Sequence, residues 1–235
     1  MEVHARAACA EDTLRLSLDA KAPVVIGPFS RGGKSRLGTK GADHDFKFWG
    51  KLTPFGLFLP EQKELNLYFT SSKVTSDFMV DRVDEWWLTN QARFPKVRKL
   101  LLDLDNGPEN HSRRSQFIYR LVLWAQTRQV AIELVYYPPY HSKYNPIERC
   151  WGVLEVYWNG ALLHSEEAVL GFAGNMTYAG KHPYVHRVSQ TYNKGVRRTK
   201  EEMKILEGRL VRLPALPKWF VTIAPAKPGE IILPT

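Results

Sequence analysis

"VRKLLLDLDNG", residues 97–107, is a short, nearly all-apolar run closed by Asn-Gly. Successive strand side chains point to opposite faces, so leucines at both parities predict a central strand buried on both faces. Such a strand needs helical cover, and its neighbours supply it. Residues 112–128 place Phe117, Leu121 and Trp124 at i, i+4 and i+7, the spacing of one helix face. "VAIELVYY", residues 130–137, reads as the next strand. Residues 145–158 then predict a helix buried through Ile147, Trp151, Leu154 and Trp158. Upstream, residues 76–91 read as a helix with Ser76 as its cap and Met79, Val83, Trp86 and Trp87 on one face. Residues 53–73 read as a hairpin turning near Pro60–Lys63. "TLRLSLDAKAPVVIG", residues 13–27, begins by alternating Leu14, Leu16 and Leu18 with Arg15, Ser17 and Asp19, a half-buried strand ending at Asp19. The order is a strand, a hairpin, then helix–strand–helix–strand–helix. That order predicts an α/β fold, a mixed sheet flanked by helices.

The C-terminal part differs. "TKEEMKILEGRL" carries a capping box, Thr199 and Glu202, and an apolar stripe at Met203, Leu206 and Leu210. The proline-punctuated segment after it reads as an extended tail. The expected division is a tail over 1–12, a catalytic domain over 13–175 and a basic helical and extended region over 176–235.

The chain has 235 residues, 44% hydrophobic and 12% aromatic, enough for a sizeable core and too apolar for disorder. No apolar run approaches the roughly 20 residues of a membrane span, and no secretory leader is visible. Only Cys9 and Cys150 are present, which argues against a disulfide framework and for a reducing compartment. The net charge is +9, of which residues 176–235 hold +7, with 11 Lys/Arg against 4 Asp/Glu. A basic end of this kind suits either a solvated face or a polyanionic partner such as nucleic acid.

Three acidic residues stand at the ends of predicted buried elements: Asp19, Asp105 and Glu148. Ligands of open α/β sheets gather at strand ends, and carboxylates converging there suit Mg²⁺, which takes hard oxygen ligands. Each residue also has a purely structural reading. Asn145, Pro146 and Glu148 fit N-cap, N1 and N3 of a helix, a capping box. Asp105-Asn106-Gly107 is strong turn chemistry. Asp19 can simply end its strand. Asp103, two residues before Asp105, and Glu155, two turns after Glu148, are rival ligands.

"SLDAKAPVVIGPFSRGGKSR", "DNGPENHSRRSQF" and "YYPPYHSKYNPIERCWGVLE" resemble the DDE-type transposases of bacterial insertion sequences, specifically the Rhodopirellula-type transposase family. The similarity spans roughly residues 13–220. It implies a ribonuclease-H-like catalytic domain and an Asp-Asp-Glu triad holding two Mg²⁺ or Mn²⁺ ions. Matched by motif, the triad falls on Asp19, Asp105 and Glu148. The implied reaction is in-line phosphoryl transfer: phosphodiester cleavage at the transposon end, then attack of the freed 3′ hydroxyl on target DNA. The implied partner is DNA, with assembly as a homodimer upon it, in the bacterial cytoplasm at the nucleoid and not in a membrane.

Around that triad, Arg31, Lys34 and Arg36 lie in a Gly-rich loop and are DNA-backbone candidates or a solvated loop. His141 and Lys143 are further DNA candidates. Asn106 either orients Asp105 or fixes the turn, and Asn145 holds the start of the Glu148 helix. Trp86-Trp87 and Tyr136-Tyr137 read as core rather than base-stacking platforms. Transposases of this kind carry an N-terminal helix-turn-helix that reads the terminal repeats. The first strand here begins near residue 13, so the expectation is a catalytic domain alone. The competing readings are a ribonuclease-H-like nuclease and an inactive or domesticated DNA-binding remnant. The basic charge argues against a glycosidase use of the carboxylates.

Overall fold

The computed structural model describes residues 10–28, 49–137 and 144–226. Among them are nine strands and five α-helices. Parallel and antiparallel strand pairs both occur, giving the mixed α/β architecture expected from the element order. The chain divides into two compact units: Met1–Ser17, Val74–Asn145 and Tyr192–Thr235 form one, Leu18–Lys73 and Pro146–Thr191 the other.

The first unit is built on the leucine run. It becomes β5 (Lys99–Leu104), with Leu100, Leu101, Leu102 and Leu104 at most 1% exposed. Burial on both faces is what a strand between two parallel neighbours requires. Those neighbours are β1 (Thr13–Ala20), paired from Thr13↔Lys99 to Ser17↔Asp103, and β6 (Ala131–Tyr136), paired from Lys99↔Ala131 to Leu104↔Tyr136. A parallel β5–β6 pair needs a crossover, supplied by α2 (Ser115–Arg128), whose Phe117, Leu121 and Trp124 are buried as their spacing predicts. Helix α1 (Ser76–Asn90) lies against α2. Trp87 meets Trp124 edge-on, ring centres 6.2 Å apart. Arg120 bridges Asp77 and Asp81 at 2.6 and 2.5 Å, and Arg128 holds Asp84 at 2.7 and 2.8 Å.

Two expectations change here. The α1 cap is Thr75, whose hydroxyl accepts from Phe78 N at 3.3 Å, not Ser76. Ser76 instead donates its hydroxyl to the Glu109 carbonyl at 2.7 Å. The segment read as an extended tail holds β9 (Phe220–Ile223), antiparallel to β6; β9 also pairs antiparallel with β8 (Leu210–Arg212), which lies just before that segment. Alternating burial in Phe220–Ile223 shows why: Val221 and Ile223 are fully buried. Before β8, α5 (Lys200–Glu207) starts with the expected Thr199–Glu202 capping box, but it ends short of Leu210, which was expected on its stripe and lies in β8.

The second unit takes in Leu18–Ala20, the end of β1, and contains the hairpin β3 (Gly50–Leu59) and β4 (Glu64–Thr70), closed by Leu59↔Glu64 at the predicted turn. Strand β2 (Val24–Ile26) pairs with β3, and β7 (Tyr184–Val188) runs parallel to β4. Helix α3 (Ile147–Trp158) buries Ile147, Cys150, Trp151, Leu154 and Trp158 in one cluster with Leu65, Leu67 and Phe69 of β4. Helix α4 (Glu166–Gly174) adds Val169 and Ala173. Among the described residues no helix is long and apolar enough to cross a membrane.

Candidate active site

Asp19 sits one residue before the end of β1, partly buried. Its Oδ2 accepts a 2.7 Å hydrogen bond from the indole Nε1 of Trp151. Trp151 lies three residues after Glu148, one turn along α3. The indole is fixed in turn, since α3 packs down on the hairpin at Gly56. A Cβ at Gly56 would stand 2.8 Å from Trp151 Cη2 and would collide with Ile147 Cδ1. Only glycine lets the helix come this close. Gly56→Ala is therefore expected to cost about 1–3 kcal/mol by overpacking, read as a lowered midpoint in urea unfolding.

Glu148 occupies the first turn of α3 and is half-buried. There the helix dipole favours a negative charge. The expected capping box is not the arrangement found. The cap residue is Pro146, without a side-chain cap bond, and Asn145 is buried and accepts a hydrogen bond from the Ser17 hydroxyl. Asn145 thus ties the chain just before α3 to β1 rather than capping the helix.

Asp105 follows the last residue of β5 and is half-buried. Its Oδ1 accepts from Asn110 Nδ2 at 2.7 Å. Asn106, the residue expected to orient it or fix the turn, is exposed. Asn110 is 3% exposed and held at its own carbonyl by the Tyr136 hydroxyl at 2.7 Å. Burial raises the Tyr136 pKa, so that hydroxyl stays a donor. The next anchor is Glu109, which takes hydrogen bonds from Ser76 N and Oγ and from Arg114 at 3.4, 3.2 and 3.0 Å. Gly107 lies under the carboxylate: a Cβ there would be 3.1 Å from both Asp105 Oδ2 and Asn110 Oδ1. "DNGPEN" is thus a clamp around one aspartate.

The two rival ligands are engaged in ion pairs. Asp103 is fully buried and meets Arg15 Nε at 2.7 Å. Beside it, burial first and the Asp103 charge second push the Tyr137 hydroxyl up to about 12. Glu155 pairs with Lys21 at 2.8 Å. Cys150 is buried and its thiol is pushed up to about 12 by burial, which removes it as a nucleophile. Arg31, Lys34, Arg36, His141 and Lys143 lie outside the described residues. Trp86, Trp87 and Tyr136 are core residues, as read; Tyr137 is half-buried.

A family model of the Rhodopirellula transposase DDE domain matches residues 2–225 of the 235. The chain belongs to that family. Comparison with curated proteins gives no match. As a transposase DDE domain it has DNA as its partner class, and its mixed sheet with flanking helices is consistent with a ribonuclease-H-like DDE fold.

Transposases of the DDE class generally use divalent metals, so the carboxylates can be tested as ligands. Asp19 and Asp105 each present a carboxylate held at one oxygen by a neutral N–H donor. That is the outer hydrogen bond that orients a ligating carboxylate. Carboxylate oxygens are the hard donors Mg²⁺ and Mn²⁺ take, with substrate phosphates completing the shell. The donor set fits. Among the described residues no group of three or more His, Cys, Asp or Glu side chains is arranged to hold a metal by itself.

Sequence reading missed Trp151 as the partner of Asp19, and Asn110 and Gly107 as the setting of Asp105. The first joins residues 132 apart and leaves no local signal. The second was legible, since a turn needs only its Asp-Asn-Gly and "DNGPEN" carries a further Glu and Asn.

Proposed function

We propose that this transposase domain performs metal-dependent phosphodiester cleavage and strand transfer at transposon ends, with Asp19, Asp105 and Glu148 as the metal-ligating carboxylates. The supporting observation is the Trp151–Asp19 hydrogen bond, which ties the first motif aspartate to the helix that carries the motif glutamate. A spacing of 132 residues is bridged by one side-chain contact, which a strand-ending aspartate has no need of.

The residues divide the work. Trp151 fixes the rotation of Asp19 by donating to Oδ2. Asn110 does the same for Asp105 at Oδ1, and Gly107 keeps the space beside that carboxylate open. The N-terminus of α3 sets the direction of Glu148. Asp19, Asp105 and Glu148 would hold a divalent cation, which would supply Lewis-acid stabilisation to an in-line displacement. In the first displacement water attacks phosphorus and the P–O3′ bond breaks, releasing a 3′ hydroxyl. In the second, that hydroxyl attacks a target phosphodiester and expels its 3′ oxygen. Positioning and charge stabilisation carry the catalysis, without a covalent enzyme intermediate.

The test is incubation of the chain with labelled duplex DNA and target plasmid in Mg²⁺ or Mn²⁺. Labelled strand joined to plasmid is the expected product. Nicking without joining would favour the ribonuclease-H-like nuclease. Salt-sensitive DNA binding with no metal-dependent product would favour the DNA-binding remnant.

A further inference from the structure

In the first unit the segment before α5 is bolted down by one arginine. Arg198 donates its backbone N–H to Ser115 Oγ at 3.0 Å and its Nε to Gln116 Oε1 at 2.9 Å. Its guanidinium stacks 3.7 Å over Tyr119 and reaches Glu202 at 3.4 Å. The charge of Arg198 is thereby used inside the unit. Its neighbours are arranged otherwise. Lys194, Arg197, Lys200 and Lys204 are exposed, and no ion pair among the described residues joins them to an acid. Other cations of the same unit are paired: Arg15, Arg114, Arg120, Arg128 and Arg212 each meet a carboxylate.

The placement of Lys200 works against the isolated helix, whereas Lys204 lies in the last turn, where the dipole favours a cation. Lys200 and Lys204 are i, i+4 on α5, so two like charges share one face and repel. Lys200 is the first helical residue, where the dipole disfavours a cation. A phosphate polyanion removes both penalties. The Arg198–Ser115 bond also sets this segment beside the loop before α2, where Arg113 is exposed. Positive potential there is felt by His111, whose pKa is lowered first by burial and then by Arg114 and Arg113, against an opposing effect of Glu109.

We propose that Arg113, Lys194, Arg197, Lys200 and Lys204 form a surface that binds the phosphate backbone of double-stranded DNA. The identity of the polyanion rests on the transposase reading; the surface rests on the geometry. Contacts of this kind position DNA and carry no sequence information.

The experiment is fluorescence anisotropy of the whole chain with a labelled duplex of arbitrary sequence, in EDTA, across a salt series. Each lost phosphate contact lowers the slope of log affinity against log salt by about 0.9, so Lys200→Gln/Lys204→Gln is expected to lose about 2. At ~0.1 M salt the same contacts amount to a weakening of roughly tenfold to hundredfold. Lys200→Arg/Lys204→Arg retains binding. Lys51→Gln/Lys73→Gln, with the same change of charge at exposed positions of the other unit, keeps the wild-type slope. Equal slopes for the two glutamine pairs, or a wild-type chain that does not bind duplex DNA, would overturn the proposal. Because the measurement uses no metal and no turnover, binding without cleavage would refute the catalytic reading and leave this surface standing. Cleavage with an unaltered salt slope in the α5 pair would do the reverse.

Discussion

Asp105→Asn is expected to lose at least about 10³-fold in strand-transfer rate, equivalent to roughly 4 kcal/mol of transition-state stabilisation, while the protein keeps its unfolding midpoint. The amide has nearly the shape of the carboxylate and can still meet Asn110, by a rotation of either amide. What it lacks is the negative charge and the second hard oxygen. Asn110→Ala leaves the ligand present and its orientation unset, so its loss is smaller and is relieved in part by raised Mn²⁺ concentration. A merely structural role for Asp105 predicts the opposite pattern: an altered melting temperature and a rate that follows the fraction folded.

Arg15→Ala is expected to behave in that opposite way. Asp103 has no exposed side-chain surface and Arg15 has 13%, so the pair is buried mainly on the carboxylate side. Removing the arginine breaks this ion pair inside the strand core, which costs about 3–5 kcal/mol. Replacing both residues with apolar ones, Arg15→Met with Asp103→Leu, restores most of that stability, since the desolvation penalty disappears with the charges. Urea unfolding of the single and double variants reads both. The comparison bears directly on the choice between Asp103 and Asp105. If Asp103 were a metal ligand, the double variant would be stable and inactive; here it is expected to be stable and to retain metal-dependent cleavage.

Most elements were legible because their patterns are governed by local physics. The leucines of β5 at both parities, the 3.6-residue stripes of α1, α2 and α3, and the Thr199–Glu202 box each state their environment within one segment. Where reading and structure part, the cause lies at long range. Asn145 looked like a helix cap because Asn-Pro-x-Glu fits one; in the fold it accepts from Ser17, 128 residues away. Ser76 and Thr75 both suit a cap on paper, serine somewhat better. Thr75 takes the position because the Ser76 hydroxyl is drawn to the Glu109 carbonyl. Phe220–Ile223 is flanked by prolines, which masked a strand whose stability comes from pairing with β6 on one side and β8 on the other. Helix α4 was overlooked although Ser165 caps it by accepting from Ala168 N at 3.1 Å, with Glu166 and Glu167 in its first turn. For the candidate site, Asp19, Asp105 and Glu148 stand at the element ends expected of them. The side chains that hold two of them, Trp151 and Asn110, were not assigned, because one is a long-range contact and the other was hidden behind a turn motif.

We propose Asp19, Asp105 and Glu148 as the metal ligands. Anomalous scattering from crystals soaked in Mn²⁺ tests this most directly. Anomalous peaks ligated by these three carboxylates, with the Trp151–Asp19 and Asn110–Asp105 hydrogen bonds retained, are the predicted result. Manganese bound at Asp103 or Glu155, or the three carboxylates bare of metal while Mn²⁺ sits elsewhere in the protein, would contradict it.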